Sequence, residues 1–289
     1  MDNKKIVWLA SYPKSGNTWF RAFLTALLND GEVDINNLRT DAIFSGKNTF
    51  DDASDLPSEY LTEEEVRLLL PTVFSIAAKE RVYNKPTDKF FIKIHEAYTL
   101  NSANKPVVPS EVTYGAIYFV RHPFDVAISY ANHLQCSIDE AIAVMNNENV
   151  STKPNMNNLN SNFTQFNQLL LSWGNHVKTW LSVKEFPVLV IRYEDMLNNS
   201  LETFTKAVDF LGLSVESQKV AKAIEASSFD NLKKQEQKNS FREKLFLEAN
   251  FFNKGIAGRG EKELTELQRN TLLQKNIEIM KVIGYVDSQ

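Results

Sequence analysis

The chain holds 289 residues, 43% of them hydrophobic and 24% charged, which supports a buried core and excludes disordered and fibrous classes. Its 32 basic and 36 acidic residues leave a net charge of −4, which argues against broad adhesion to nucleic acid or anionic membrane; an anionic ligand has to be met by a local cation cluster. Ten glycines and nine prolines are too few for many short strands and their turns, and the single Cys136 excludes an internal disulfide and a cysteine metal cluster while fitting a reducing, cytoplasmic address.

Residues 6–10 form a short continuous apolar run, the mark of a buried parallel strand, and too short for an export signal behind Lys4 and Lys5. Nowhere does an apolar stretch reach the roughly 18 residues of a membrane helix. Beyond the loop, Trp19, Phe20, Phe23, Leu24, Leu27 and Leu28 recur at helical spacing, and Asn29-Asp30-Gly31 ends that helix. Residues 31–60 read as loop, and Thr62 with Glu65 forms a capping box for a helix running to about Arg81. Strands are expected at 89–94, 114–120 and 187–191, and helices at 165–183, 201–211, 216–226 and 263–283. Strands alternating with helices, without hairpin turns, predict an α/β fold with a parallel sheet. Eight asparagines between Asn146 and Asn162 predict a loop, either a surface excursion or a flap beside a substrate site.

Two segments carry chemistry. Tyr12-Pro13-Lys14-Ser15-Gly16-Asn17-Thr18-Trp19 joins the first strand to its helix, where free N–H groups and the positive end of the helix dipole favour an anion. Lys14 adds charge, Gly16 lets the backbone approach, and Ser15 and Thr18 bring hydroxyls. The lysine precedes the glycine, so the Walker pattern is absent, and nothing obvious holds magnesium. In the second segment, residues 118–129, Arg121 ends a strand, Pro123 opens a helix and Ser129 lies about two turns along it. Strand ends of a parallel sheet share one crevice, so both loops can face one ligand. Asp125 reads as a first-turn carboxylate, and His122, His133, His176, Trp173 and Trp180 as structural residues.

These segments resemble the sulfotransferases that use 3′-phosphoadenosine 5′-phosphosulfate (PAPS). The 12–19 run is similar to their 5′-phosphosulfate loop, with Asn17 where threonine is usual, and Arg121 and Ser129 match their 3′-phosphate pair. Lys93-Ile94-His95, the segment from Trp173 to Trp180, Arg192 to Met196, Ser227-Ser228-Phe229 and Phe252 to Gly258 resemble further family segments in the same order. The resemblance implies one domain over 1–289: three layers, a central parallel sheet flanked by helices, related to P-loop nucleotide kinases. It implies sulfuryl transfer from PAPS, without metal, to a hydroxyl of a small acceptor such as a phenol, sterol or other alcohol.

By the same resemblance His95 is the general base, Lys14 stabilises the leaving phosphate and Lys93 approaches the transferring group. Lys14, Ser15, Gly16, Asn17, Thr18 and Trp19 form the phosphosulfate loop; Trp19, Tyr193 and Phe229 hold the adenine; Arg121, Ser129 and Lys254, with Asn253 and Gly255 in the late loop, take the 3′-phosphate. The chain departs from the pattern at Asn253, where arginine is common, and at Arg259-Gly260, where Asp-Trp is common. It lacks the short C-terminal dimer motif of eukaryotic members, which leaves the oligomeric state open. Alternatives are a P-loop-type kinase of small metabolites using ATP, a sulfotransferase of carbohydrates or natural products, and a silent nucleotide-binding protein. Phe44, Phe50, Tyr60, Phe163, Phe241 and Phe246 are candidates for an apolar acceptor pocket or for core.

Overall fold

In the computed structural model, which describes residues 4–80, 87–152, 165–246 and 250–287, five strands form one sheet. They are β1 (Ile6–Ser11), β2 (Ala42–Ile43), β3 (Phe90–Ile94), β4 (Thr113–Val120) and β5 (Val188–Arg192), all parallel and ordered β2-β3-β1-β4-β5. The helices are α1 (Asn17–Leu28), α2 (Lys47–Ser54), α3 (Glu63–Glu80), α4 (Pro123–Leu134), α5 (Ile138–Met145), α6 (Trp173–Leu181), α7 (Tyr193–Asn198), α8 (Ser200–Phe210), α9 (Ser217–Ala226), α10 (Phe229–Asn239), α11 (Arg259–Glu263) and α12 (Glu266–Val282). No helix among the described residues is long and apolar enough to cross a membrane.

The continuous apolar run of β1 reflects burial on both faces. Ile6, Trp8 and Ala10 face a core shared with α3, α4, α5, α6 and α12, while Val7 and Leu9 face α1, α7, α8 and α9. Trp8 shows the packing: it is fully buried, its ring lies edge-on to Phe44 and Phe74, and its Nε1–H donates to Thr113 Oγ1 at 2.8 Å. Truncating such a side chain costs about 3–5 kcal/mol. A third cluster, with Ala22, Ile35, Leu38, Leu232, Phe241 and Phe252, closes behind α1.

The expected strands and the Thr62–Glu65 capping box are present, though the box's helix is described only to Glu80 and Arg81 lies outside the described residues. Residues 31–60 are not simply loop, since they hold β2 and α2. The helix expected over 165–183 is only Trp173–Leu181. Before it the chain is extended, with bridges from Gly46 to Gln165 and from Ser151 to Leu169, and Leu171 takes φ 59 before Ser172 caps the helix by accepting Asn175 N–H. The apolar spacing was helical, but Gln168 spends its side chain on the ends of other elements, and tertiary pairing overrides propensity.

Candidate active site

The chain leaves β1 toward β2 on one side of the sheet and leaves β4 toward β5 on the other. These two neighbouring strands therefore open a crevice at their carboxyl ends. Into it run the loops holding Lys14 and Arg121. Lys14 and Gly16 both adopt left-handed backbone, φ 68 and 106. At Gly16 a Cβ would lie 2.6 Å from Met196 Cε and 2.9 Å from the Tyr193 ring, so the loop closes against α7 only because that side chain is missing. Asn17 ties the turn to the strand: its Nδ2 donates to Leu9 O at 2.8 Å and Ser11 Oγ at 3.4 Å. Among the described residues no side chain caps the N-terminus of α1, so its first-turn N–H groups keep their capacity for an anion.

Arg121 is buried, stacks 4.1 Å over the Tyr193 ring and donates to Ile256 O at 3.0 Å, which draws the late loop across the crevice. Asp125 is not spent on its own helix. Its two oxygens accept Gly258 N–H at 2.8 Å and Gly260 N–H at 2.7 Å. Buried Glu236 on α10 holds the other end by accepting Phe251 and Phe252 N–H at 2.7 and 2.9 Å. Arg259-Gly260 fits this path: a Cβ at residue 260 would sit 2.2 Å from Phe124 Cβ, and Arg259 pairs with Glu263 at 2.8 Å. Gly255, φ 64, lies against the Phe229 ring.

His95 follows β3. Its Nδ1 lies 2.8 Å from Ser11 O; a carbonyl only accepts, so Nδ1 carries the hydrogen and Nε2 is the basic nitrogen, without a partner among the described residues. Burial, with Lys93 adding repulsion, pushes His95 down to about 3, so the imidazole is neutral at pH 7. Its backbone is fixed from both sides: Gln168 Oε1 accepts its N–H at 2.8 Å, and its carbonyl accepts from His176 Nε2 at 3.0 Å. His176 Nδ1 in turn meets Tyr118 OH at 2.8 Å, so this structural histidine positions the candidate base. Lys14 Nζ lies 3.7 Å over the Phe251 ring, and burial, with Arg121 and Lys93 nearby, lowers it to about 7. Lys93 is also lowered by burial and pairs with Glu243 at 2.9 Å.

These groups line one cavity of about 1160 Å³. That exceeds the roughly 300–1,000 Å³ of a single-ligand pocket and suits two ligands side by side. Lys14, Gly16, Asn17, Thr18, Trp19, Lys93, His95, Arg121, Ser129, Tyr193, Phe229, Asn253, Lys254 and Gly255 all reach its wall. Ser15 does not: it is buried, and its Oγ has no partner among the described residues. Lys254 stands at the mouth, 52% exposed and 3.3 Å from Glu263.

The apolar candidates need correction. Phe44 and Phe50 belong to the main core, Phe241 to the third cluster, Tyr60 is 78% exposed, and Phe163 lies outside the described residues. Phe246 borders only a small pocket beside the cavity. Phe166, Phe229, Phe251 and Phe252 line the cavity instead. His133 stands on the cavity wall and not in the core, and of the asparagine-rich stretch the described part, 146–152, contributes Asn147, Asn149, Val150, Ser151 and Thr152 to it; residues 153–162 lie outside the described residues. Sequence reasoning also missed Arg21 and Glu243. One signal was available, because Arg21 is the only charge in the twelve residues of α1 and is nevertheless 2% exposed.

The chain matches the family described as "Sulfotransferase domain" over residues 4–281. It is 27% identical over 267 residues to "Sulfotransferase 1B1" of Canis lupus familiaris, covering 90% of this chain and 78% of that protein. Among solved structures it resembles retinol dehydratase in complex with androsterone and the inactive cofactor PAP, with TM-score 0.60 and 20% identity over 98% of this chain and 82% of that one. It also resembles mouse sulfotransferase SULT7A1 complexed with PAP, with TM-score 0.56 and 19% identity over 99% of this chain and 89% of that one.

Proposed function

The chain belongs to the sulfotransferase family, and from that premise we propose that it moves a sulfuryl group from PAPS to a hydroxyl of a small acceptor. The observation that carries this reading is the meeting, on one cavity wall, of Lys14 and Lys93 with a neutral His95 whose Nε2 is free to accept a proton. The residues also fit the donor molecule. Arg121 Nε, Trp19 Nε1 and Asn17 Oδ1 are buried polar atoms of cavity-lining residues that find no partner among the described residues. Arg121 with Ser129 would hold the 3′-phosphate, joined by Lys254 from the late loop of Asn253 and Gly255. Lys14 and the amides of 15–18 would hold the 5′-phosphosulfate, and Trp19, Tyr193 and Phe229 the adenine.

When bound, PAPS supplies an activated sulfuryl group on a phosphate leaving group. His95 Nε2 takes the acceptor hydroxyl's proton while Nδ1–H stays anchored on Ser11 O, which fixes the ring's aim. The Lys14 ammonium would stabilise the phosphate leaving group, in a buried setting where such contacts are strong. Lys93 lies on the same wall and would approach the transferring group. Leu134, Val144, Val150 and Phe166 with Asn147 and Gln168 make the far end mixed in polarity, which supports an acceptor with an apolar body and some polar groups.

Calorimetry with adenosine 3′,5′-bisphosphate in excess chelator tests the reading, followed by an acceptor screen with PAPS and mass detection of the added sulfuryl group. Binding without metal and sulfated product are expected. No binding in chelator, with magnesium-dependent binding of ATP, would replace the proposal with a kinase.

A further inference from the structure

Arg21, Glu243 and Lys93 come from α1, from the loop after α10 and from β3, three segments far apart in sequence, and meet on the cavity wall. The Arg21 guanidinium forks onto the carboxylate, Nη1 to Oε2 at 3.1 Å and Nη2 to Oε1 at 2.8 Å, and its Nε donates to Thr40 Oγ1 at 2.8 Å. Lys93 Nζ donates to the same Oε2 at 2.9 Å. Both carboxylate oxygens are thus held by cations, which pull Glu243 well below the usual carboxylate range despite its burial. It cannot serve as a base near neutral pH.

The surroundings explain what it does instead. Lys93 is met by Arg21 from α1, Lys14 from the β1 loop, His95 beyond its own strand and His133 from α4, with Glu243 as the negative partner. A buried lysine among cations sheds its proton unless a carboxylate holds it. We propose that Glu243, anchored by the Arg21 fork, is a positioning residue that keeps the Lys93 ammonium charged and aimed into the cavity. The pairing stands on the geometry of the cluster; its use in turnover rests on the assignment of Lys93 to the transferring group. The same carboxylate contributes negative charge to a wall that otherwise carries Lys14, Lys93, Arg21 and Arg121 together, which eases the mutual repulsion of the ligand-free site.

The test reads Lys93 directly. Lysines are reductively methylated with isotopically labelled formaldehyde, a modification that preserves their charge, and the Lys93 resonance, assigned by its loss in Lys93→Arg, is titrated in the full chain without ligand. In Glu243→Gln, which keeps the shape and removes the charge, the midpoint should fall by about one pH unit or more, a tenfold loss of proton affinity. The alkaline limb of turnover should move down with it. An unchanged midpoint overturns the proposal, as does an equal loss of turnover at all pH values. If Glu243→Gln does not fold, Glu243→Asp keeps the charge but withdraws it by one methylene; a smaller fall in the same direction supports the proposal and no fall overturns it. Failure of the wild-type chain to bind the bisphosphate, together with a lowered Lys93 midpoint in Glu243→Gln, would refute the PAPS assignment and support the pairing.

Discussion

Around Lys14 and Arg121 the cavity wall is made of short loops that directly follow β1 and β4, and each is tied to a second element: Asn17 to Leu9, Arg121 to Ile256, Asp125 to Gly258 and Gly260. Around His133, Asn147 and Gln168 the wall comes from the end of α4, from 147–152 and from 165–168, and the regular pairing there is limited to isolated bridges such as Ser151 to Leu169. The first end is preorganised for a ligand of fixed shape. The second is assembled from side chains on separate segments, where, apart from Gln168 with its bonds to the His95 and Glu96 N–H groups, a substitution changes the lining without disturbing the sheet. A donor common to many reactions suits the former, and an acceptor that differs between proteins suits the latter.

His95 sits where the two ends meet, and its removal should have the largest effect. On the proposed reading, His95→Ala is expected to lower kcat by about 10²–10⁴-fold with bisphosphate affinity little changed, since the base would touch the acceptor and not the nucleotide. Loss of nucleotide binding in that variant would erase the division between the two ends. In the wild type, kcat/KM should not fall between pH 7 and pH 5 on account of His95, because its ordinary protonation is pushed down to about 3.

At the donor end, pH acts through Lys14. With a value of about 7 in the free protein, Lys14 is cationic below that pH and increasingly neutral above it, and the ligand binds the cation. Bisphosphate affinity should therefore fall by about fivefold from pH 7 to pH 8 and by about tenfold from pH 8 to pH 9, where the phosphates' own ionisation is nearly complete. Calorimetry from pH 7 to pH 9 checks this, and Lys14→Met should flatten the slope while lowering affinity throughout. A wild-type slope that persists in Lys14→Met would assign the titration to another group.

The clamp on the late loop should matter less. Asp125→Ala leaves the buried Gly260 N–H without its acceptor, at a cost of about 1–3 kcal/mol, and frees the strand of chain that bears Ile256 and Lys254. A lowered melting temperature and a loss of bisphosphate affinity of about tenfold are expected. If affinity held while stability fell, the loop would be a structural cover and the donor end would reduce to the β1 and β4 loops.

The same contrast governs what could be read from the sequence. Strands β1, β3, β4 and β5, the β1 loop and Arg121 were legible because apolar runs break into polar residues at the strand ends, whereas Lys93-Ile94-His95 stood out only through the family resemblance and the two residues of β2 were read as loop. Glu243, Glu236 and Gln168 were not, because their partners, Arg21, Phe251 and His95, lie 222, 15 and 73 positions away and no local pattern joins them. Asp125 was visible as a first-turn carboxylate, but its actual partners belong to a loop 133 and 135 positions later. The aromatics chosen for the acceptor end failed for a related reason: burial in a core and exposure on a cavity wall demand the same residue types, and only tertiary position separates Phe44 from Phe166.

The smallest effect concerns Asn253, where the chain departs from the family pattern and where the donor end is most open. Asn253 is exposed, its carbonyl accepts from Lys233 Nζ at 3.2 Å, and the adjacent Lys254 is already engaged by Glu263 at 3.3 Å. An arginine added there stands in water at the cavity mouth, and exposed ion pairs contribute only about 0.2–1 kcal/mol. Asn253→Arg should therefore raise affinity for adenosine 3′,5′-bisphosphate by roughly 1.5- to 5-fold, leave affinity for adenosine 5′-phosphate unchanged, and lose its advantage at high salt. A gain of tenfold or more that survives salt would mean that the side chain at 253 turns inward and shares the buried setting of Arg121. Equal gains for both nucleotides would reduce the effect to general attraction and detach the late loop from the 3′-phosphate. No gain for either would confine recognition of that phosphate to Arg121 and Ser129, making the donor end narrower than the late loop's clamps suggest.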